Sequence, residues 1–352
     1  MKKSIGLAAI VVAATSAIST AAVARDQIRI VGSSTVYPFT TMVAEQFGKA
    51  HGGKTPIVES TGTGGGLKLF CAGVGADHPD VANASRQIKK GEFEDCQKNG
   101  VKDIVEIKIG FDGIVIANAK NGPALTLTQE QIFRALAKEI PDKDGKLVAN
   151  PNKSWKDIDA ALPAEKIEVL GPPPTSGTRD AFLELVMEKG AEKIDVLKAM
   201  KDADKKDNTK NFEKVWKSVR EDGAWIDAGE NDNLIVQKLE ANPKAVGVFG
   251  YSFLEENTAK IKGAKIAGVD ANYETIASGK YPVSRPLFVY VKKQHAEVIQ
   301  GLKEFAVEYT SAKAMGEDGY LSKKGLIALP KAELDAVAKA AAALDVMAAP
   351  GS

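Results

Sequence analysis

Three short polar loops constrain the fold of this chain, because each lies between a predicted strand and a predicted helix. The first N–H groups of a helix lack partners inside it, and the helix dipole favours negative charge at that end. One such loop is an ordinary cap or turn, whereas three in one chain predict an anion site in an α/β fold. The loops are GSST at 32–35, TGTGGG at 61–66 and TSGTR at 175–179.

Short β-branched runs alternate with amphipathic stretches along the chain, which is typical of α/β proteins. Residues 104–120 form a run too long for one ordinary strand, so we expect the chain to pass there from one lobe into another. A second passage is expected at 245–254. These passages divide the chain into lobe 1, residues 25–115 and 255–352, and lobe 2, residues 116–254.

The first 24 residues have the pattern of a signal peptide. Lys2 and Lys3 precede an apolar run over 5–12, and the small residues at 22–24 form a predicted cleavage site. Polar residues interrupt the apolar stretch, which argues against a retained membrane anchor. We therefore expect cleavage after Ala24 and a mature protein in the periplasm.

The charge balance excludes binding to nucleic acid through the overall field of the protein. The full chain has 47 Lys and Arg against 46 Asp and Glu. Because the signal segment holds two lysines and no acid, the mature chain has a net charge of −1. Proteins that attract nucleic acid by bulk electrostatics are strongly basic. Any anion bound here must be recognised by local geometry.

The two cysteines, Cys71 and Cys96, are most simply a disulfide, because the chain is predicted to be exported. Two buried thiols are the alternative. A metal site is not favoured, because the three histidines, His51, His78 and His295, have no ligand spacing to the cysteines. A bridge over a loop of this length stabilises a fold by roughly 3–4 kcal/mol in the chain-entropy model.

The order and spacing of five segments identify a resemblance that no single segment carries. The segments are IRIVGSSTVYPFT, STGTGGGLKLFCAG, DVANASRQIKKGE, TSGTRDAF and ANPKAVGVFGYSFL, between residues 27 and 255. Together they resemble the periplasmic phosphate-binding proteins of the Pst-type phosphate ABC transporter. The resemblance implies a two-lobed type II periplasmic binding protein fold with two hinge crossings. It also implies an anion held between the lobes and delivery to a membrane permease.

The resemblance further implies that the matched loops contact phosphate through backbone N–H groups and hydroxyl groups. Residue-by-residue matching gives Ser34 and Thr35 in the first loop, Thr63 and Gly64 in the second, Ser85 after the third strand, and Ser176, Gly177 and Thr178 in the last loop.

Two departures from the family pattern leave the cation of the site open. Pro172 stands four residues before Ser176, where many members carry an arginine. Arg86 follows Ser85, where many members carry an aspartate. Arg86 and Arg179 are therefore the two candidate cations. Arg179 has an alternative role as an arginine of the first helical turn that pairs with an acid.

A carboxylate in the site would decide selectivity, because hydrogen phosphate can donate a hydrogen bond and sulfate cannot. Asp112 is the candidate acceptor, since it interrupts an apolar strand near Gly110 and Gly113, where the chain should cross between lobes. An aspartate in an apolar strand is costly without partners. The alternatives are a turn or bulge role for Asp112, and Asp180 or Asp232 as the acceptor.

The sequence as a whole predicts an exported phosphate-binding protein that closes two lobes on hydrogen phosphate and supplies an ABC importer. We expect a monomer that needs no cofactor and catalyses no reaction. An exported phosphatase-like enzyme is a rival, although the sequence has no clustered metal ligands and no paired nucleophile and base. A binder of sulfate, molybdate or an organic anion is a second rival, and a surface or adhesion role is a third.

Overall fold

The computed structural model gives this chain an α/β fold in which strands and helices alternate, as the sequence predicts. Residues 1–24, where the signal peptide is predicted, and Ser34 of the first loop lie outside the described residues. The structure describes residues 25–33, 35–52, 54–174, 176–207, 209–229 and 232–351. No helix within those ranges combines the length and the apolar character needed to cross a membrane.

Most strands are short and most helices are amphipathic. The strands are β1 (Arg29–Gly32), β2 (Ile57–Ser60), β3 (Val81–Ala84), β4 (Ile104–Ala119), β5 (Thr126–Leu127), β6 (Glu139–Pro141), β7 (Leu147–Ala149), β8 (Val169–Gly171), β9 (Trp225–Asp227), β10 (Val246–Gly250), β11 (Ile261–Gly263), β12 (Lys265–Ile266) and β13 (Ser284–Lys292). The helices are α1 (Tyr37–His51), α2 (Thr63–Phe70), α3 (Lys90–Lys98), α4 (Gln129–Leu136), α5 (Gly177–Phe182), α6 (Lys189–Ala191), α7 (Asp195–Asp207), α8 (Asn211–Lys217), α9 (Asp232–Ala241), α10 (Tyr251–Glu256), α11 (Tyr273–Ala277), α12 (Leu302–Tyr309), α13 (Ala312–Met315) and α14 (Lys331–Ala343).

One sheet runs through the molecule in the order β2-β1-β3-β13-β4-β10-β8-β9, and β11 also pairs with β4. Strand β1 is parallel to both β2 and β3, so their carboxyl ends lie at one edge of the sheet. Strand β8 is parallel to β10 in the other half. The polar loops follow β1, β2, β3 and β8, and the sheet therefore brings them to the region between its two halves.

Strand β4 links the two halves of the sheet. It is 16 residues long and nearly matches the predicted run over 104–120. Residues 104–113 pair with β13, and residues 114–117 pair with β10. Strands β11 and β12 pair with β4 and β5 in the second half. The lobe bounds given above stay a prediction.

The disulfide predicted between Cys71 and Cys96 is confirmed. It joins the end of α2 to α3 and belongs to an apolar cluster beside the main core. The cluster also includes Leu67, Phe70 and Tyr290. The bridge therefore ties down the helix that carries the second polar loop.

Replacing both cysteines with alanine should lower the free energy of unfolding by roughly 3–4 kcal/mol, because the unfolded chain then loses its loop constraint. Urea unfolding of wild type and variant measures the difference. Reducing the wild-type protein with a thiol should produce a similar loss. A loss below about 1 kcal/mol in both experiments would contradict the expected stabilisation.

Candidate functional site

A pair of hydroxyl groups from two loops of lobe 1 forms the first part of the site. Thr63 is the first residue of α2, and Ser85 follows β3. Their Oγ atoms lie 3.0 Å apart, and the backbone N–H of Ser85 donates to Thr63 Oγ1 at 3.1 Å. Ser85 is buried. The parallel strands thus bring two predicted site residues together.

Glycine is required where α2 packs against β1. A Cβ added to Gly66 would lie 2.3 Å from the Cα and 2.8 Å from the nitrogen of Gly32, and both of these are backbone atoms. Gly32 itself has a φ of 131°, a backbone conformation that favours glycine. This close approach fixes the start of α2, and with it Thr63, over the end of β1.

Replacing Gly66 with alanine should lower the free energy of unfolding by roughly 1–3 kcal/mol, because the added methyl group forces α2 away from β1. Gly64 provides a matched control in the same helix, since a Cβ there meets nothing within 4 Å. Urea unfolding should leave Gly64→Ala at or above wild-type stability. Equal losses in the two variants would contradict the close-packing explanation, because only the Cβ at position 66 meets the backbone of β1.

The last polar loop meets the first loop across the cleft between the lobes. Ser176 caps α5, where its Oγ accepts from the N–H of Thr178 at 3.2 Å. The hydroxyl of Thr35 donates to the carbonyl oxygen of Gly177 at 3.4 Å. Thr35 is buried. Predicted residues from both lobes therefore meet at the cleft. Ser34, the other predicted residue of the first loop, is outside the described residues.

Arg285, which the sequence did not single out, is a cation bonded to the first of these loops. Its Nη2 donates to Thr35 Oγ1 at 3.0 Å. Its Nη1 donates to Glu184 of lobe 2. The side chain of Arg285 is only 10% exposed. A guanidinium that is buried to this extent must be held by partners, and its partners here come from both sides of the cleft.

Asp112 lies beside Arg285, because the two residues are opposite each other in the β4–β13 pair. The Nε of Arg285 lies 3.7 Å from Asp112 Oδ2. Both of these atoms are buried without a hydrogen-bond partner among the described residues. Burial raises the pKa of Asp112 above its ordinary value, and Arg285 lowers it in part. Asp112 thus lies at the crossing strand, as predicted, next to a cation.

The two predicted cations have other partners. Arg86 makes a two-pronged contact with Glu92, with N–O distances of 2.9 and 2.7 Å. Arg179 is buried, and its guanidinium carbon lies 4.3 Å from the ring centre of Trp225. It also lies 3.4 Å from Asp227, which is the ion pair expected in its alternative role. Neither arginine lines the cavity described next; Arg285 does not line it either, but it is hydrogen-bonded to two residues that do, Thr35 and Glu184.

A cavity of about 160 Å³ lies between the hydroxyl loops and lobe 2. Pockets for drug-sized ligands occupy roughly 300–1,000 Å³, so this space suits a small ion. Gly64 instead borders a groove beside the disulfide. The cavity is lined by Ser33, Thr35, Gly62, Thr63, Ser85, Asp180, Leu183, Glu184, Trp216 and Lys217.

Sequence reasoning missed Arg285, which lies beside the cavity, and Glu184 and Lys217, which line it, for identifiable reasons. Arg285 is an arginine before a proline at the start of an apolar strand, and only its register opposite Asp112 marks it. Glu184 and Lys217 lie within ordinary amphipathic helical patterns. Glu184 lies near the last polar loop and Lys217 follows Trp216, but many charged residues lie near a loop or an aromatic residue, so these positions do not mark them as site residues. In the described ranges, no group of three or more His, Cys, Asp and Glu residues could hold a metal ion.

Comparison with known proteins places this chain among proteins with the same architecture. A family model described as a PBP superfamily domain matches residues 17–313. A phosphate-binding protein PstS from Staphylococcus saprophyticus is 32% identical over 306 residues, which cover 85% of this chain and 79% of that protein. A protein SphX from Synechococcus elongatus is 30% identical over 272 residues, covering 76% of this chain and 68% of the relative.

A solved structure supports the same conclusion about the fold. A possible phosphate binding protein from Planctomyces limnophilus is 29% identical and superposes with a TM-score of 0.71. The match covers 91% of this chain and 98% of that one. The predicted fold class, an α/β protein with two lobes and a cleft between them, is thereby confirmed.

Proposed function

The chain belongs to the PBP superfamily and, within it, to the PstS family of phosphate-binding proteins, and from this membership we propose that it binds inorganic phosphate between its lobes. The bound phosphate is then delivered to the membrane permease of an ABC importer. The chain is exported, and its signal peptide is removed after Ala24. It works as a monomer and catalyses no reaction.

The observation that carries this proposal is the set of donors around a cavity of about 160 Å³. Thr35, Thr63 and Ser85, which carry hydroxyl groups, line this space, and so does Gly62, which precedes the first N–H groups of α2. Arg285, bonded to Thr35, supplies positive charge at its border. Hydroxyls, N–H groups and a guanidinium are the groups that bind phosphate oxygens in proteins.

We assign the charged roles to Arg285 and Asp112. Arg285 is proposed in place of Arg86 and Arg179, because its partners Thr35 and Glu184 line the cavity, whereas Glu92 and Asp227, the partners of the other two arginines, do not. Asp112 is proposed as the acceptor of the phosphate hydrogen. Its side chain keeps 15% exposure although Oδ2 is buried, and a carboxylate in this position disfavours sulfate, which has no hydrogen to donate.

Titration calorimetry with phosphate and with sulfate, each at two pH values, tests this function. We expect one phosphate per chain and much weaker binding of sulfate. Absence of phosphate binding would overturn the function, and equal affinity for sulfate would overturn the acceptor role. Sedimentation and amino-terminal sequencing of the secreted protein test the monomer and the start at Arg25.

An exported phosphatase is the competing function from another class. Its test is hydrolysis of a phosphate ester by the protein in the presence of added divalent metal ions. Turnover that disappears with a substitution in the cleft would replace the binding role with an enzymatic one. Binding of phosphate without turnover favours the solute-binding role.

A further inference from the structure

A π-helical segment forms part of the lobe 2 wall of the cleft. Helix α5 continues without a break through the π-helical residues Leu183–Glu188 into α6. Such segments are rare, and they often occur at functional sites. Leu183 and Glu184, the first residues of this segment, both line the cavity. The helix therefore meets the site at Asp180 and changes to π-helical winding within the stretch that lines the cavity.

Glu184 makes a contact that joins the two lobes. Its Oε2 accepts a hydrogen bond from Nη1 of Arg285, which is 101 positions away in the sequence. Glu184 belongs to the helix after the last polar loop, whereas Arg285 is the second residue of β13, which pairs with the first part of β4. The contact between Thr35 and Gly177 spans the same cleft.

The contacts of Arg285 fix the orientation of its guanidinium plane. Nη1 is held by Glu184 and Nη2 by the hydroxyl of Thr35. Nε has no hydrogen-bond partner in the described part of the chain, and Asp112 balances its charge from 3.7 Å. Glu184 is thus the carboxylate that determines the rotation of the side chain. Its own side chain is 48% exposed, so it remains free to follow movement of lobe 2.

We propose that Glu184 is a positioning residue, which orients Arg285 for the bound anion and couples anion binding to closure of the lobes. This inference rests on the proposed phosphate-binding function. Because Glu184 acts through Arg285, it affects the affinity for phosphate and for sulfate alike and does not set the ratio between them. Its removal should therefore weaken phosphate and sulfate binding by the same factor, whereas removal of the acceptor carboxylate should change their ratio.

Calorimetry on the full mature protein tests this role with the variants Glu184→Gln, Arg285→Lys and the double variant. We expect Glu184→Gln to weaken phosphate binding roughly tenfold, as for loss of one hydrogen bond between charged groups. The ratio of phosphate to sulfate affinity should stay within about twofold of wild type. In the Arg285→Lys background, Glu184→Gln should weaken binding by less than about threefold, because lysine lacks the forked geometry.

Asp202→Asn is the matched control, because Asp202 pairs only with Lys205 on the exposed surface of α7 among the described residues. It makes the same change in charge and should leave phosphate affinity unchanged. Tighter or unchanged phosphate binding by Glu184→Gln would overturn the inference, and so would an equal loss in both arginine backgrounds. If wild type itself bound no phosphate, the proposed function and this inference would both be wrong. If wild type bound phosphate and Glu184→Gln bound it equally well, this inference would be wrong and the proposed function would stand.

Discussion

Replacing Arg285 with glutamine is expected to weaken phosphate binding by roughly a hundredfold, because a charge-assisted hydrogen bond contributes about 1.5–3 kcal/mol and each 1.4 kcal/mol is tenfold in affinity. The loss has a second source. Without the guanidinium, the carboxylates of Asp112 and Glu184 would face the anion without a compensating charge. Like charges at such distances repel, which adds to the lost attraction. Calorimetry with phosphate measures the total effect.

Arg86→Gln is the control for this result, because it removes the same charge from one of the two cations that the sequence offered as candidates. Arg86 is held by Glu92. We therefore expect its replacement to change phosphate affinity by less than about threefold, as for a partly exposed ion pair. If Arg86→Gln were the more damaging of the two substitutions, Arg86 would be the cation and Arg285 a structural residue.

Asp112→Asn is expected to reduce the preference for phosphate over sulfate by roughly ten- to a hundredfold, because asparagine offers a weaker acceptor and removes the charge that disfavours sulfate. Calorimetry with both anions gives the ratio directly. Asp180→Asn is the comparison, since Asp180 also lines the cavity and was the alternative acceptor. A wild-type ratio in Asp112→Asn together with a reduced ratio in Asp180→Asn would transfer the role to Asp180.

The raised pKa of Asp112 adds a dependence on pH to the same experiment. Burial raises this pKa, and a protonated carboxyl group no longer offers a carboxylate to the phosphate hydrogen. The preference of wild type for phosphate over sulfate should therefore fall as the pH is lowered through the raised pKa. The preference of Asp112→Asn should not change in this way. Titration of phosphate itself is common to both proteins. The stability of the fold depends on pH in the opposite direction. Protonated Asp112 stabilises the fold at low pH, and this contribution is lost as the pH rises through the raised pKa.

The loops of the site were predictable because their chemistry is local. A serine, threonine or glycine between a strand and a helix has a restricted set of roles, and parallel strands bring such loops to one edge. Thr63 and Ser85 are 22 positions apart, yet their hydroxyls meet because β1, β2 and β3 are parallel neighbours. The disulfide followed from two cysteines in a chain with an export signal.

The charged partners were not predictable, because they depend on register and on competition between neighbours. Arg285 faces Asp112 only through the pairing of β4 with β13, which joins segments far apart in sequence. Arg86 was a reasonable candidate beside a matched loop. Its commitment to Glu92 arises from the position of α3, where Glu92 also caps the start of the helix. No single-sequence pattern distinguishes an arginine that awaits a ligand from one already paired.

The hydrogen bond between Thr63 and Ser85 affects how fast an anion binds, but not how fast it is released. It lies wholly within lobe 1, so an arriving anion meets these hydroxyls already in register, and no rearrangement slows its capture. The contacts made by Gly177 and Glu184 cross the cleft, so in the proposed function lobe 2 has to close before they form. Escape then has to await their rupture. A protein built in this way can load at close to the encounter rate while its residence time is set separately by the opposite lobe.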